Sequence, residues 1–433
     1  MKISVIGCGY LGAVHAACMA ELGHDVIGID IDESKIAALA AGRPPFYEPG
    51  LPELLESSIA SGRLRFTTDI AAAGGAAVHF VAVGTPQQKD SYAADLSWVD
   101  AAFEALLPQL APGDLVVGKS TVPVGTAARL ADLVEQSGAR LAWNPEFLRE
   151  GFAVKDTLAP DRLVYGVRPG DKESVDALDA VYATAIAAAT PRVVTDFATA
   201  ELVKVAANAF LATKISFINA MAEVAEVTGA DVTQLADAIG HDARIGRRFL
   251  NAGLGFGGGC LPKDIRAFMA RAEELGVDQA LGFLREVDSI NLRRRERMVD
   301  LAREVCGGSV EGKRIAVLGL AFKPDSDDVR DSPALDVAAR LAELGAVVRA
   351  TDPQAIETSR RLRPALHYVA TAAEAAIDAD AVLLLTEWGD YRALDPEALG
   401  AVVGNRAIVD GRNCLDADTW RAAGWTYRAL GRP

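Results

Sequence analysis

The sequence predicts an α/β protein built from two doubly wound parallel sheets joined by a long central helix and a helical middle. Three observations carry that expectation. Short apolar runs alternate with helical patterns from residue 2 to residue 143, as they do where helices wind about a parallel sheet. The same alternation resumes at Gly312. Between them, Ala198 to Thr228 holds no Gly or Pro and is rich in Ala, Glu, Lys and Leu, which reads as one long helix. With 433 residues and roughly 150 per domain, two or three domains are expected. The boundaries fall at 1–196, 197–306 and 307–433.

The elements run in order. Lys2 to Ile6 is a short apolar strand, Gly7 to Gly12 a glycine turn, and Ala13 to Leu22 a helix; Asp25 to Ile29 is the next strand, closing on Asp30. Val78 to Val83, Leu115 to Gly118 and Arg140 to Trp143 continue the sheet. Helix persists after Thr228 to about Cys306, interrupted by the glycine-rich Gly253 to Gly259. Arg314 to Leu318, Val347 to Ala350, Ala381 to Leu385 and Ala407 to Val409 are the strands of the last domain.

Lys plus Arg number 44 against 59 Asp plus Glu, a net charge of −15, which disfavours nucleic acid as a partner. Half the residues are hydrophobic and 24% charged, the balance of a globular chain. The opening segment lacks the basic leader and cleavage site of an export signal, so a cytoplasmic protein is expected. No membrane is expected either: the longest apolar run, Ala198 to Ala230, is broken by Glu201, Lys204, Lys214, Glu223 and Glu226. Cys8, Cys18, Cys260, Cys306 and Cys414 are scattered without a CxxC pair or a nearby His set. That pattern argues against disulfides and against any metal site, and directs attention to a thiolate.

Gly7, Gly9 and Gly12 form GxGxxG between strand and helix, with Tyr10 and Leu11 inside the motif and Asp30 ending the next strand. Such glycines admit a tight turn and close backbone approach to a pyrophosphate at the helix N-terminus, while the acid bonds the ribose hydroxyls. Asp30 would repel the extra phosphate of NADP, so NAD is the expected cofactor. Lys35 either reaches the same ribose or is a solvated helix lysine. The second α/β domain has Leu-Gly-Leu-Ala-Phe-Lys-Pro at the equivalent place and should hold something other than a dinucleotide.

Five glycines fall within Gly253 to Gly259, followed by Cys260, Leu261, Pro262, Lys263 and Asp264. Pro262 suits the first turn of a helix, so Cys260 sits at a helix N-terminus beside Lys263, where a thiol is more readily a thiolate nucleophile. Asp264, one turn on, could act as a base or orient water. Lys204 and Asn208 share a face of the central helix, a cation and an amide suited to a developing oxyanion; on residue type alone, a lysine snorkelling to solvent is the better reading. Asn144 to Glu150 ends the first domain where ligands bind such sheets, and Ser120-Thr121 follows another strand in the same setting; acids at a helix start explain Glu146 and Glu150 almost as well.

Together GCGYLG, VGTP at 83–86, STVPVGT at 120–126, NPEFLREG at 144–151, Lys204 with Asn208, GFGGGCLPKD, AFKPDSDDVRDSPA at 321–334 and DGRN at 410–413 resemble the UDP-glucose 6-dehydrogenase family of nucleotide-sugar dehydrogenases. The resemblance implies two Rossmann-like domains and oxidation of a nucleotide sugar's C6 alcohol twice by NAD, through an aldehyde, a thiohemiacetal and a thioester. It makes Cys260 the nucleophile, Lys204 and Asn208 the oxyanion partners, and Asp264 an aid to proton transfer and hydrolysis. Thr121 and Glu146 then position water and protons. By the same resemblance Asp30, Lys35, Thr85, Thr121, Glu150, Lys263 and Arg330 contact NAD. The sugar nucleotide, UDP-glucose, meets Glu146, Phe147, Leu148, Arg149, Glu150, Lys204 and Asn208. It also meets Phe249, Leu250, Asn251, Ala252, Gly253, Gly257, Phe322, Lys323 and Arg412. Arg244 is implied to serve the neighbouring subunit's site, in a homodimer or larger assembly built on the central helix.

Two positions depart from the pattern: Gly259, where relatives often carry Ser, and Gly84, where some carry Asn. The alternatives in view are the same chemistry on GDP-mannose or a UDP-N-acetylhexosamine, a single-oxidation hydroxyacid-type dehydrogenase, which would not need Cys260, and a non-catalytic NAD-binding protein.

Overall fold

A computed structural model describes residues 1–433 and divides the chain into two compact units. The first comprises Met1–Ala207 with Arg266–Asp278, the second Asn208–Ile265 with Gln279–Pro433.

The first unit holds an eight-stranded sheet: β1 (Lys2–Ile6), β2 (Asp25–Ile29), β3 (Leu64–Thr67), β4 (Val78–Val81), β5 (Leu115–Gly118), β6 (Arg140–Trp143), β7 (Leu163–Gly166) and β8 (Arg192–Thr195). Their spatial order is β3-β2-β1-β4-β5-β6-β7-β8, parallel throughout except where β6 meets β7. The sequence order reverses beside β1, so the crevice for a ligand opens at the carboxyl ends of β1 and β4. Side chains alternate between two cores, as the strand period demands. Ile3, Val5, Phe80 and Val117 enter one; Ile6, Val81, Val116, Leu141 and Trp143 enter the other. Both faces are covered, which is why the strands read as continuous apolar runs. Gly118 makes room for Trp143: a Cβ there would stand 2.1 Å from the indole.

The second unit holds a six-stranded, wholly parallel sheet: β9 (Arg314–Leu318), β10 (Val347–Thr351), β11 (His367–Tyr368), β12 (Ala381–Leu384), β13 (Ala407–Asp410) and β14 (Thr426–Ala429), ordered β11-β10-β9-β12-β13-β14. The strands β3, β7, β8, β11 and β14 are not among those expected from the sequence. β3 alternates only weakly, β8 is largely exposed and β11 has two residues, so each lacks the apolar run that marks the others.

Five helices position the groups of interest: α1 (Tyr10–Glu21), α2 (Phe197–Thr228), α3 (Leu261–Glu274), α4 (Phe283–Val305) and α5 (Pro333–Glu343). α2 matches the long helix read from the sequence. By length and composition it could cross a membrane. Its charges are nevertheless partnered inside protein: buried Glu201 accepts bonds from the amides of Gly125 (2.8 Å) and Ala127 (2.6 Å).

The two glycine turns after β1 and β9 are built alike. Gly7 (φ +87°) and Gly319 (φ +105°) both adopt the left-handed conformation that favours glycine. In each, the acid after the next strand accepts from the turn's amides. Asp30 takes Cys8 N–H at 2.8 Å; Asp352 takes Leu320 N–H at 2.7 Å and Ala321 N–H at 3.0 Å.

Candidate active site

In the first unit, Gly12 begins the close packing of α1 on the turn: a Cβ there would stand 1.7 Å from the Gly7 carbonyl oxygen. Only glycine fits. Asp30 ends β2, nearly buried, and receives Lys35 Nζ at 2.9 Å and Asp32 N–H at 3.1 Å. Lys35 is therefore paired with Asp30 rather than a solvated helix lysine. Tyr10 donates its hydroxyl to buried Glu48, which also accepts Gly151 N–H (2.7 Å) and Ala153 N–H (2.6 Å). Tyr10 thus ties the glycine turn to the segment after Asn144–Glu150. Thr85 Oγ1 donates to the Thr121 carbonyl at 2.8 Å, and Ser120 Oγ to Val83 O at 2.7 Å, fastening the ends of β4 and β5 together. A left-handed glycine, a helix start that excludes any side chain and an acid at the end of β2 fit a dinucleotide with a free adenosine ribose.

Beyond β6, Glu146 Oε1 accepts Lys204 Nζ at 2.8 Å, while Oε2 accepts Leu148 N–H at 2.8 Å. The Lys204 side chain is 6% exposed and lies 5.7 Å from the centre of the Phe147 ring. It does not snorkel to solvent: Glu146 compensates the charge within the protein. Phe147 also carries the Arg162 guanidinium on its face. Arg149 forms a two-pronged pair with Asp156 (2.9 and 2.6 Å), and Glu150 is half-buried beside it.

In the second unit, Cys260 is exposed and immediately precedes α3, whose Asp264 N–H bonds the Cys260 carbonyl at 2.9 Å. Asp264 is buried. Its Oδ2 accepts Asn208 Nδ2 at 2.6 Å and its Oδ1 accepts Lys263 Nζ at 2.6 Å. The helix turn from Cys260 to Asp264 therefore carries an exposed thiol and a carboxylate engaged by an amide and an ammonium. Asn208 lies one turn beyond Lys204 on α2, as the sequence spacing predicts. The other four cysteines are buried or half-buried, and no disulfide joins any of the five; burial pushes the Cys8, Cys18, Cys306 and Cys414 thiols up. Cys260 is the exposed thiol of the five.

The glycine-rich loop ahead of Cys260 is held by the second sheet and by α4. Gly253 N–H donates to Asn219 (2.9 Å), Leu254 N–H to Gly411 O (2.9 Å) and Phe256 N–H to Asn291 (2.8 Å). Arg412 donates to Gly255 O (2.9 Å), Phe322 O (3.1 Å) and Leu385 O (2.7 Å), so in this structure it buttresses the loop. Gly258 N–H bonds Arg330 O at 2.8 Å, and a Cβ on Gly259 would fall within the Arg330 guanidinium. The glycine at 259 thus makes room for an arginine beside Cys260. Arg330 also pairs with Asp328 at 2.6 Å. Lys323 lies over the Phe322 ring, Phe249 is exposed with φ +65°, and Leu250 and Ala252 are buried beneath Asn251. Arg244 is 89% exposed and pairs only locally with Asp242, the one proposed ligand directed wholly to solvent.

The NAD binding domain of the UDP-glucose/GDP-mannose dehydrogenase family matches residues 1–186, its central domain 198–293 and its UDP binding domain 316–417. The chain belongs to that family. It is 42% identical to the UDP-glucose 6-dehydrogenase of Rhizobium meliloti (strain 1021), over the full length of both chains. UDP-glucose 6-dehydrogenase TuaD of Bacillus subtilis (strain 168) is 43% identical over all of this chain and 93% of that one. The structure of a UDP-glucose dehydrogenase from Pyrobaculum islandicum is similar with a TM-score of 0.90 at 39% identity, covering 100% of this chain and 98% of that one. The protein is accordingly an NAD-dependent oxidoreductase with a UDP binding domain.

Sequence reasoning missed Glu48 and Lys119. Glu48 lies in a loop with no motif around it. Lys119, which precedes Ser120, passes for an ordinary lysine at a strand end until its burial is seen.

Proposed function

We propose that this protein oxidises UDP-glucose at C6 to UDP-glucuronate, reducing two NAD per sugar. The observation that carries the reading is the exposed Cys260 at the start of α3, one turn from a buried Asp264 that is bonded to Asn208 and Lys263. A single alcohol oxidation has no use for a thiol. A four-electron oxidation does, because the aldehyde must be held as an adduct that can surrender a second hydride.

NAD supplies the hydride acceptor in both steps. The glycine turn and Asp30 hold its pyrophosphate and ribose. In the first oxidation the C6 hydroxyl loses a hydride and a proton, and Lys204 with Asn208 stabilises the oxygen as charge develops. The Cys260 thiolate then adds to the aldehyde carbon, giving a thiohemiacetal. Loss of a second hydride and a proton from this adduct gives a thioester. Water, positioned by Asp264 with Thr121 and Glu146, cleaves the C–S bond, returns the thiol and leaves the carboxylate. One water is consumed, and the protons leave through these carboxylates to solvent.

The remaining residues fall to binding roles: Thr85, Glu150, Lys263 and Arg330 toward NAD; Phe249 to Gly253, Gly257, Phe322, Lys323 and Arg412 toward the sugar nucleotide. We infer a homodimer from α2, whose Phe210, Phe217, Val224 and Val227 are exposed, with Arg244 contributed to the partner's site. A cytoplasmic place, with NAD and nucleotide sugars at hand, and a product used in polysaccharide synthesis complete the reading.

The test is NADH formation by the purified protein with UDP-glucose, GDP-mannose and a UDP-N-acetylhexosamine in parallel. Two NADH per UDP-glucose consumed is the expected result. Activity confined to GDP-mannose, or one NADH per sugar, overturns it.

A further inference from the structure

Lys119 follows β5 directly and is buried, with 6% of its surface exposed. Its Nζ donates to Asn144 Oδ1 at 3.0 Å, lies 3.5 Å from the Asn144 carbonyl, and is 3.3 Å from the Tyr182 hydroxyl. The rings of Phe80 and Tyr182 stand 5.7 and 5.9 Å away. Asn144 is itself fixed: its Nδ2 donates to Val164 O at 2.9 Å and its Oδ1 accepts the Tyr182 hydroxyl at 2.7 Å.

The positions in the chain give this cluster its meaning. Two residues beyond Lys119 is Thr121; two residues beyond Asn144 is Glu146, which holds Lys204. One ammonium therefore bridges the ends of the two strands that deliver those groups. Keeping an ammonium in the interior is costly, and its hydrogen bonds to Asn144 and Tyr182 are what offset that cost.

We propose that Lys119 is a positioning residue of the reaction: its ammonium clamps Asn144 to the end of β5 and so holds the Glu146 carboxylate opposite Lys204. The inference rests on the roles proposed above for Glu146 and Lys204. Burial lowers the Lys119 pKa to about 8, with Glu146 acting to raise it and Lys204 to lower it. A cavity of about 60 Å³ adjoins the ammonium. His15 faces it from α1, held neutral by burial, with its Nε2 without a hydrogen-bond partner. Tyr182, whose pKa burial raises, closes the other side. Asp156, Asp161 and Arg162 line the outer part; Asp156 is committed to Arg149, and Arg162 to the Phe147 ring. Above about 8 the Lys119 amine is neutral and the clamp weakens.

Lys119→Met keeps the length of the side chain and removes the charge. The expected result is a variant that melts no lower than the wild type, loses about 100-fold in kcat on UDP-glucose, and keeps its KM for NAD within about twofold. The alkaline fall of the wild-type kcat near pH 8 should be absent from it. Its crystal structure should show Glu146 no longer bonded to Lys204. Tyr182→Phe, which deletes one hydroxyl and keeps the ring, should lower kcat in the same direction by about threefold to tenfold. A Lys119→Met enzyme with kcat within about threefold of wild type, or with Glu146 still on Lys204, overturns the proposal. Wild-type protein inactive on every nucleotide sugar would overturn the reaction instead, and the crystal structure of the variant would still answer for the clamp.

Discussion

Asp264→Asn is the substitution whose effect comes most directly from the geometry. The carboxylate is buried and accepts two donors, Asn208 Nδ2 and Lys263 Nζ, each at 2.6 Å. An amide of the same shape offers one acceptor oxygen and one NH2 group. Whichever way it turns, its NH2 meets a donor. Lys263 is the more exposed partner, so Asn208 keeps the oxygen and the charge-assisted bond between Lys263 and this side chain is lost. Losing a bond to a charged group costs about 1.5–3 kcal/mol. If that loss falls on the transition state, at about 1.36 kcal/mol per tenfold it becomes a drop of roughly 10- to 150-fold in kcat. Hydrolysis suffers further, because the variant can no longer take a proton from water. The assay is steady-state NADH production with UDP-glucose, together with NAD binding measured by protein fluorescence. NAD affinity should shift as well, since Lys263, a proposed NAD contact, loses its carboxylate partner. A kcat within about threefold of wild type would refute the assignment of Asp264.

Three other outcomes are expected. Cys260→Ser should abolish steady two-step turnover while leaving NAD binding intact; normal progress curves in that variant would exclude a covalent thioester. Gly12→Ala places a methyl 1.7 Å from the Gly7 carbonyl oxygen and should weaken NAD binding by about 100-fold or more, read by titration, with UDP-glucose binding unchanged. The third concerns acid. His15 and His79 are held neutral by burial, their pKa values lowered below 6.5, so below that pH the unfolded chain binds protons that the folded chain does not. Stability is therefore lost as pH falls through 6.5, by up to about 1.4 kcal/mol per pH unit for each histidine. Denaturant midpoints that stay level between about pH 7.5 and 5.5 would contradict this.

The parallel sheets were legible because their central strands are buried on both faces and so carry unbroken apolar runs: Val116 and Val117 face opposite cores yet read alike. The edge strand β8, with Val193 and Val194 exposed, has no such pressure on its composition. Cys260 and Asp264 could be read from local chemistry, since a proline in the first turn and a one-turn spacing place both on one helix. Lys204 could not. Its apolar neighbours on α2 suggest snorkelling, whereas the ammonium is held inside by Glu146, far away in the chain. Lys119 escaped notice for the same reason: its partners, Asn144 and Tyr182, come from distant segments. Residues whose role is set by long-range partners leave little local trace.

The paired turns after β1 and β9 bear on how one architecture keeps two ligands apart. Asp352 is buried and takes five donors: the amides of Leu320, Ala321, Gln354 and Ala355, and the Trp388 indole. A pyrophosphate seat needs a helix that starts at the turn; after β9 none does, since α5 begins only at Pro333, and the amides of Leu320 and Ala321 are taken by Asp352. In the first unit Asp30 binds a single amide of the glycine turn, leaving the rest of that seat open to a visitor. The first turn keeps a helix N-terminus open to an anion and the second does not, so the same architecture offers a dinucleotide one seat and not two.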